Sequence, residues 1–129
     1  MTKKTEGDRS EENPFLAQLG FLDTEIGMTY CCGDEAFYKE VLRNYLNSSR
    51  YTELQKSFWE KDWETYRIAV HTIKSTSLSI GAGKLSEQAA ELEQLVKSGA
   101  VGKIAARHDR LMQSYGNLLS QLRQILDSE

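Results

Sequence analysis

The sequence predicts an all-α protein: an antiparallel up-down four-helix bundle with additional short N-terminal helices. Three observations carry this expectation. There is a single proline in 129 residues, and proline is the residue that most strongly interrupts helices. Runs of alternating β-branched residues, the mark of half-buried strands, are few. Apolar residues instead recur every three or four positions in long segments joined by short connections, which makes successive helices antiparallel neighbours.

Each element follows from local signals. Residues 1–13 are polar, with no aliphatic or aromatic side chain beyond Met1, and are expected to form a disordered tail or linker. The bundle domain is expected over 14–129. Asn13-Pro14 marks a helix start, since proline suits the first turn, and Phe15, Leu16 and Leu19 give it a short apolar face ended by Gly20. Asp23 is placed to cap a second short helix with Ile26, Met28 and Tyr30 as its apolar residues and Gly33 as its end. Asp34 begins a longer helix carrying Phe37, Val41, Leu42 and Tyr45, which Ser48-Ser49 interrupts. The next segment holds Tyr51, Leu54 and Phe58 and ends near Lys61.

Asp62 is the expected cap of the following helix. On it Tyr66, Ala69, Val70, Ile73, Ser77 and Ile80 fall within about 100° of arc, the width of a core face. Gly81-Ala82-Gly83 closes that helix, and Leu85, Ala89, Leu92 and Val96 mark the next. A glycine-containing loop over 98–102 leads to a long final helix. There Ile104, Leu111, Tyr115, Leu118, Leu122 and Ile125 continue the seven-residue seam of a bundle.

Composition bounds the function. A hydrophobic content of 40% and a charged content of 27% are those of a soluble globular protein. With a net charge of −3 and no basic stripe to replace counterions, a nucleic-acid partner is not expected. No apolar run approaches the roughly 20 residues of a membrane span, and the polar start lacks the apolar region of a signal peptide. No membrane partner is expected, and the expected location is cytoplasmic. Cys31 and Cys32 are adjacent; they bridge poorly and supply too few ligands for a metal. They are expected to be reduced and structural.

The candidate site is the run His71-Thr72-Ile73-Lys74-Ser75-Thr76-Ser77-Leu78. His71 lies on the opposite side of its helix from the apolar stripe, together with Arg67, Lys74, Ser75 and Leu78, so packing does not explain it. Imidazole is a nucleophile near neutral pH. A lysine three residues on lies about 5–6 Å away at the Cβ atoms, close enough to meet an anion carried by the ring. Ser75, four residues on, is small and leaves the face open to a large partner.

This pattern resembles the histidine-containing phosphotransfer (HPt) domain family of two-component phosphorelays. The resemblance reaches from roughly Phe21 to Leu126. Gly33-Asp34-Glu35-Ala36-Phe37 followed by Tyr45-Leu46 is similar to the family's first long bundle helix. Asp62-Trp63 is similar to the capped start of its active helix, and Gly81-Ala82, Leu85 and Ala90-Glu91-Leu92-Glu93 to the turn and helix that follow. Ser75 departs from the pattern, since many members have glycine there.

The resemblance implies that His71 accepts a phosphoryl group from an aspartyl phosphate on a response-regulator receiver domain and passes it to another. It implies phosphate stabilisation by Lys74 and partner contacts by Arg67, Ser75 and Leu78. No cofactor of its own and no metal site are implied, Mg²⁺ coming with the receiver. The expected partners are receiver domains, with a hybrid sensor histidine kinase as a further one, and the expected state is a monomer that docks transiently. A Walker loop and a kinase signature set are both missing from the sequence, so the chain is expected to be a phosphoacceptor without its own ATP-dependent kinase activity.

His108 serves as a control. It falls on the seam between Ile104 and Leu111, with Leu111 rather than lysine at plus three, and is expected to be a partly buried helix residue. A di-iron bundle requires Glu-x-x-His, whereas Ile68 and Ala105 precede the two histidines by three. A sensor-kinase dimerisation helix has an acidic residue after its histidine, where Thr72 stands here. The alternative left open is a structural adaptor bundle that is never phosphorylated.

Overall fold

The computed structural model describes residues 14–129, so the tail expected over 1–13 lies outside the described residues. Its α-helices are α1 (Pro14–Ala17), α2 (Thr24–Tyr30), α3 (Glu35–Asn47), α4 (Tyr51–Glu60), α5 (Trp63–Ser79), α6 (Gly83–Lys97) and α7 (Ile104–Asp127). A short 3₁₀ turn, Val101–Lys103, leads into α7. There is no strand among the described residues, and no helix there is long and apolar enough to cross a membrane.

Side-chain capping sets three of the starts, as the sequence signals suggested. Asp23, Asp34 and Asp62 accept from the backbone N–H groups of Ile26, Phe37 and Thr65, satisfying donors that the first turn leaves open. The turn between α4 and α5 is made by Lys61 in the left-handed conformation, φ 56°.

Pairings along the helices fix their directions. Tyr38 and Tyr45 of α3 meet Ile80, the residue just after α5, and Ser77 of α5, while Phe58 of α4 meets Trp63 and Tyr66. Thus α3 and α4 together form one track antiparallel to α5, broken at Ser48–Arg50. The break is held by Tyr115 of α7, whose Oη accepts from the Arg50 backbone N–H at 2.9 Å. The hairpin α5–α6 is antiparallel, with the Ser86 hydroxyl donating to the Lys74 carbonyl at 2.8 Å. Arg107 near the start of α7 pairs with Glu91 of α6.

The core is the expected one where long helices face each other. Tyr66, Ala69, Val70, Ile73 and Ser77 of α5 and Ile80 at its C-cap are all buried. Elsewhere the sequence reading needs correction. Ile26 and Tyr30 of α2 are exposed, and the residue that α2 buries is Gly27. A Cβ there would lie 2.5 Å from the Tyr38 ring, so α2 presses its backbone against α3 at this point, and of its three expected apolar residues only Met28, partly buried, packs against the core. The helix also ends at Tyr30, short of Gly33. On α3 Leu42 and Tyr45 are buried as expected, but Tyr38 is buried in place of its neighbour Phe37, which is exposed; on α7 Ile125 packs partly buried against the core and Leu126 is buried beside it. His108 is more deeply buried than expected, stacked on Phe58 at 3.8 Å between ring centres with Nδ1 hydrogen-bonded to the Tyr66 hydroxyl. Burial lowers its pKa from the ordinary value.

Gly81 joins the N-terminal helices to the bundle. Its φ is +95°, and its carbonyl accepts from the Asp23 N–H at 2.8 Å. A Cβ at this position would come within 2.2 Å of the Asp23 carbonyl oxygen. Gly83, two residues on, has no positive φ and open space around its Cβ position. Gly81→Ala should therefore destabilise the fold by roughly 2 kcal/mol or more, whereas Gly83→Ala should be neutral or stabilising by up to about 1 kcal/mol. Urea midpoints for the two variants check this, and equal midpoints would contradict it.

Candidate functional site

The middle of α5 presents the expected face. His71 and Ser75 are exposed, Arg67 and Lys74 are half-buried beside them, and Leu78 lies two turns beyond His71 and is 43% exposed. The structure thus brings all five sequence-selected residues to one side of one helix. It also gives each a partner or a setting that the sequence did not reveal.

The addition that matters most is Glu93 of α6. Its side chain is only 3% exposed, yet it is a carboxylate. One oxygen, Oε2, is 2.8 Å from His71 Nδ1, and the other, Oε1, accepts from Lys74 Nζ at 2.7 Å. Lys97, one turn along α6, approaches Oε2 at 3.4 Å. Taking a carboxylate out of water is costly unless it is paired and hydrogen-bonded, and here three cationic or cation-forming groups converge on it. Burial pushes its pKa up, but hydrogen bonds from Lys74 and His71 and the positive charge they carry outweigh this and hold it at about 2, against an ordinary 4.5.

An ionised carboxylate only accepts hydrogen bonds. The ring nitrogen facing it, Nδ1, must therefore carry the proton. In a neutral ring this leaves the lone pair on Nε2, on a side chain that is 58% exposed. The carboxylate thus sets both the tautomer and the orientation of the imidazole. Among the described residues no hydrogen bond occupies Nε2.

The other site residues have settled roles in the resting structure. Lys74 is drawn toward Glu93 rather than extended into solvent, and its backbone is tied to α6 through Ser86. Arg67 pairs with Glu64 one turn back, with contacts at 2.8 and 3.4 Å. Ser75 donates its hydroxyl to the His71 carbonyl at 3.1 Å, so this serine is satisfied within its own helix and adds no bulk to the face. Among the described residues no cluster of three or more metal-ligating side chains occurs. Both cysteines are free, Cys31 buried and Cys32 exposed.

Glu93 escaped the sequence reading, which placed it within a helix pattern but gave it no role. It stands four residues after Ala89 and one after Leu92, on the flank of the apolar stripe, with Lys97 four residues further on. A carboxylate in that position signals a buried charge. Which helix supplies its counter-charges follows only from the pairing of α5 with α6.

The depressed pKa makes Glu93 a source of pH-dependent stability. Its contribution is fully present above about pH 4.5 and is lost as the pH falls toward 2, where the folded-state carboxylate takes up its proton. Glu93→Gln should be less stable than the wild type at pH 7 by on the order of 2 kcal/mol, and the difference should close between pH 4.5 and 2. Urea unfolding of both proteins across that range checks this; a gap independent of pH would contradict it.

The Hpt domain family matches residues 40–128, which hold the histidine helix, its Glu93-bearing partner and the rest of the bundle from α3 onward. No curated protein and no solved structure matches the chain. The chain belongs to the Hpt domain family, whose domains serve histidine phosphotransfer with receiver domains and histidine kinases in two-component phosphorelays.

Proposed function

We propose that the chain is a phosphorelay intermediate in which His71 accepts a phosphoryl group from an aspartyl phosphate of one receiver domain and delivers it to another. The observation that carries this reading is the contact of His71 Nδ1 with the buried Glu93 carboxylate at 2.8 Å on an otherwise exposed ring. In the forward step the Nε2 lone pair attacks phosphorus. The bond from phosphorus to the aspartyl oxygen breaks, and the aspartate leaves with the electron pair. The ring, still protonated on Nδ1, becomes an imidazolium, and its new charge faces Glu93. Return transfer reverses each step.

Catalysis of this kind is mostly positioning and charge neutralisation. Glu93 holds the ring. Lys74, already anchored beside it, is placed to turn part of its charge to the phosphoryl oxygens. The receiver supplies the Mg²⁺, and this chain brings no metal of its own. Arg67, Ser75 and Leu78, with the exposed Ile68 one turn before His71, form the surface on which the receiver closes. Since the partner must leave after each transfer, the contact is small and weak, and the protein works in the cytoplasm as a monomer.

Three variants test the reading against a phosphorylated receiver. His71→Gln should take no acid-labile phosphate and should still fold, since Lys74 and Lys97 remain paired to Glu93. Lys74→Ala should dock normally but slow transfer roughly tenfold to a hundredfold, the loss of a charge-assisted contact of about 1.5–3 kcal/mol. Ser75→Arg should block docking by bulk and charge. Label on the His71→Gln protein would sink the proposal, as would a wild type that takes none. A Ser75→Arg protein that docks and transfers normally would put the partner face elsewhere.

A further inference from the structure

Helix α6 grips Lys74 at both ends. The lysine ammonium reaches Glu93 Oε1 at 2.7 Å, and its backbone carbonyl accepts from the Ser86 hydroxyl at 2.8 Å. Ser86 is buried and stands seven residues before Glu93 on α6, so two helical turns put both on one face. Among the described residues, Ser86 and Glu93 supply every side-chain hydrogen bond between α5 and α6. The two grips differ in kind. Those of Glu93 end on side chains that reach solvent, whereas the Ser86 bond ends on the backbone of the reactive helix itself. A serine inside a helix commonly turns its hydroxyl to a carbonyl of its own helix, as the buried Ser57 of α4 does toward Leu54. Ser86 reaches across to its neighbour instead.

We infer that Ser86 is a positioning residue for the transfer step, acting through Lys74. The inference rests on the relay reading above. In the resting chain the Glu93 and Ser86 contacts hold Lys74 together. When phosphorus is bonded to His71 Nε2, the imidazolium faces Glu93 and the Lys74 ammonium turns toward the phosphoryl oxygens. That turn weakens the contact of Lys74 with Glu93. The Ser86 bond stays, because the backbone carbonyl does not move with the ammonium, and it becomes the tie that keeps Lys74 beside α6. The base of the lysine is then fixed next to His71, and only its four-carbon stem has to swing. Without the bond, α5 and α6 lose their one backbone-anchored side-chain tie at the moment when charge is redistributed between them. Catalysis that works by positioning is sensitive to misplacement of about 1 Å, less than the 1.5 Å rise of one helical residue. Docking relies on the outward residues Arg67, Ser75 and Leu78, none of which Ser86 contacts. Its loss should therefore act on the rate of the bound complex and not on affinity.

The test is single-turnover transfer from a receiver phosphorylated with acetyl phosphate and Mg²⁺. Varying the concentration of the chain separates the limiting rate from half-saturation. The proteins are wild type, Ser86→Ala, Ser86→Thr and Ser57→Ala, with urea midpoints to establish that each is folded. Ser57→Ala also removes a buried hydroxyl, but one whose bond stays within α4, so it reports what a merely structural loss does. Ser86→Ala should lower the limiting rate by about fivefold or more, the size of one ordinary hydrogen bond, with half-saturation within twofold of the wild type. Ser57→Ala should change neither, and Ser86→Thr, which restores a hydroxyl, should recover most of the rate. A wild-type limiting rate in Ser86→Ala would overturn the inference and leave the relay reading standing. So would an equal loss in Ser57→Ala, or a folded Ser86→Thr as slow as the alanine variant. A wild type that takes no label would overturn the relay reading and the role of Ser86 with it.

Discussion

A carboxylate withdrawn from water has to be compensated by charge, and this requirement at Glu93 organises the rest of the site. Its two oxygens face two different groups of α5, His71 Nδ1 and Lys74 Nζ, at 2.8 and 2.7 Å. Because the anion is buried and its partners are half-buried or exposed, the pairing works outward: the inner group is fixed by packing and the outer groups are oriented by it. A surface histidine would otherwise sample many rotamers and both tautomers. Here one nitrogen is committed to the protein interior and the other is left for chemistry.

The scaffold makes that commitment possible by placing α6 in register with α5. The tie from Ser86 to the Lys74 carbonyl and the turn at Gly81 set how far the two helices slide past each other. A helical residue advances 1.5 Å along the axis, so a shift of a single residue would carry Glu93 out of hydrogen-bonding reach of one partner or the other. The buried hydroxyl pair of Tyr45 and Ser77, at 2.8 Å, fixes α3 on the opposite flank of α5. The reactive helix is thus held from both sides while its outward face stays free.

Much of this was legible in the sequence. The apolar stripe on α5, its cap at Asp62 and the off-stripe position of His71 follow from a 3.6-residue period, which is a local property of one helix. The buried set from Tyr66 to Ile80 matched residue for residue. What failed to show were relations between elements. Of the apolar residues of α2 only Met28 packs against the core; Ile26 and Tyr30 are exposed, because the helix sits with Gly27 against the Tyr38 ring. Glu93 sat within a recognised helix pattern, but its meaning depends on which two cation-forming side chains of another helix it meets. His108 shows the same limit from the other side. Seam position suggested partial burial, and the flat stack on Phe58 with the Tyr66 hydrogen bond completes it.

The most direct measurement of the central claim is the protonation pattern of the His71 ring itself. Long-range proton–nitrogen NMR spectra at alkaline pH should show the proton on Nδ1 and an unprotonated Nε2, and the phosphorylated protein should carry its phosphoryl group on Nε2. In Glu93→Gln the preference for the Nδ1–H form should weaken. A proton on Nε2 in the wild type, or phosphate on Nδ1, would contradict the account.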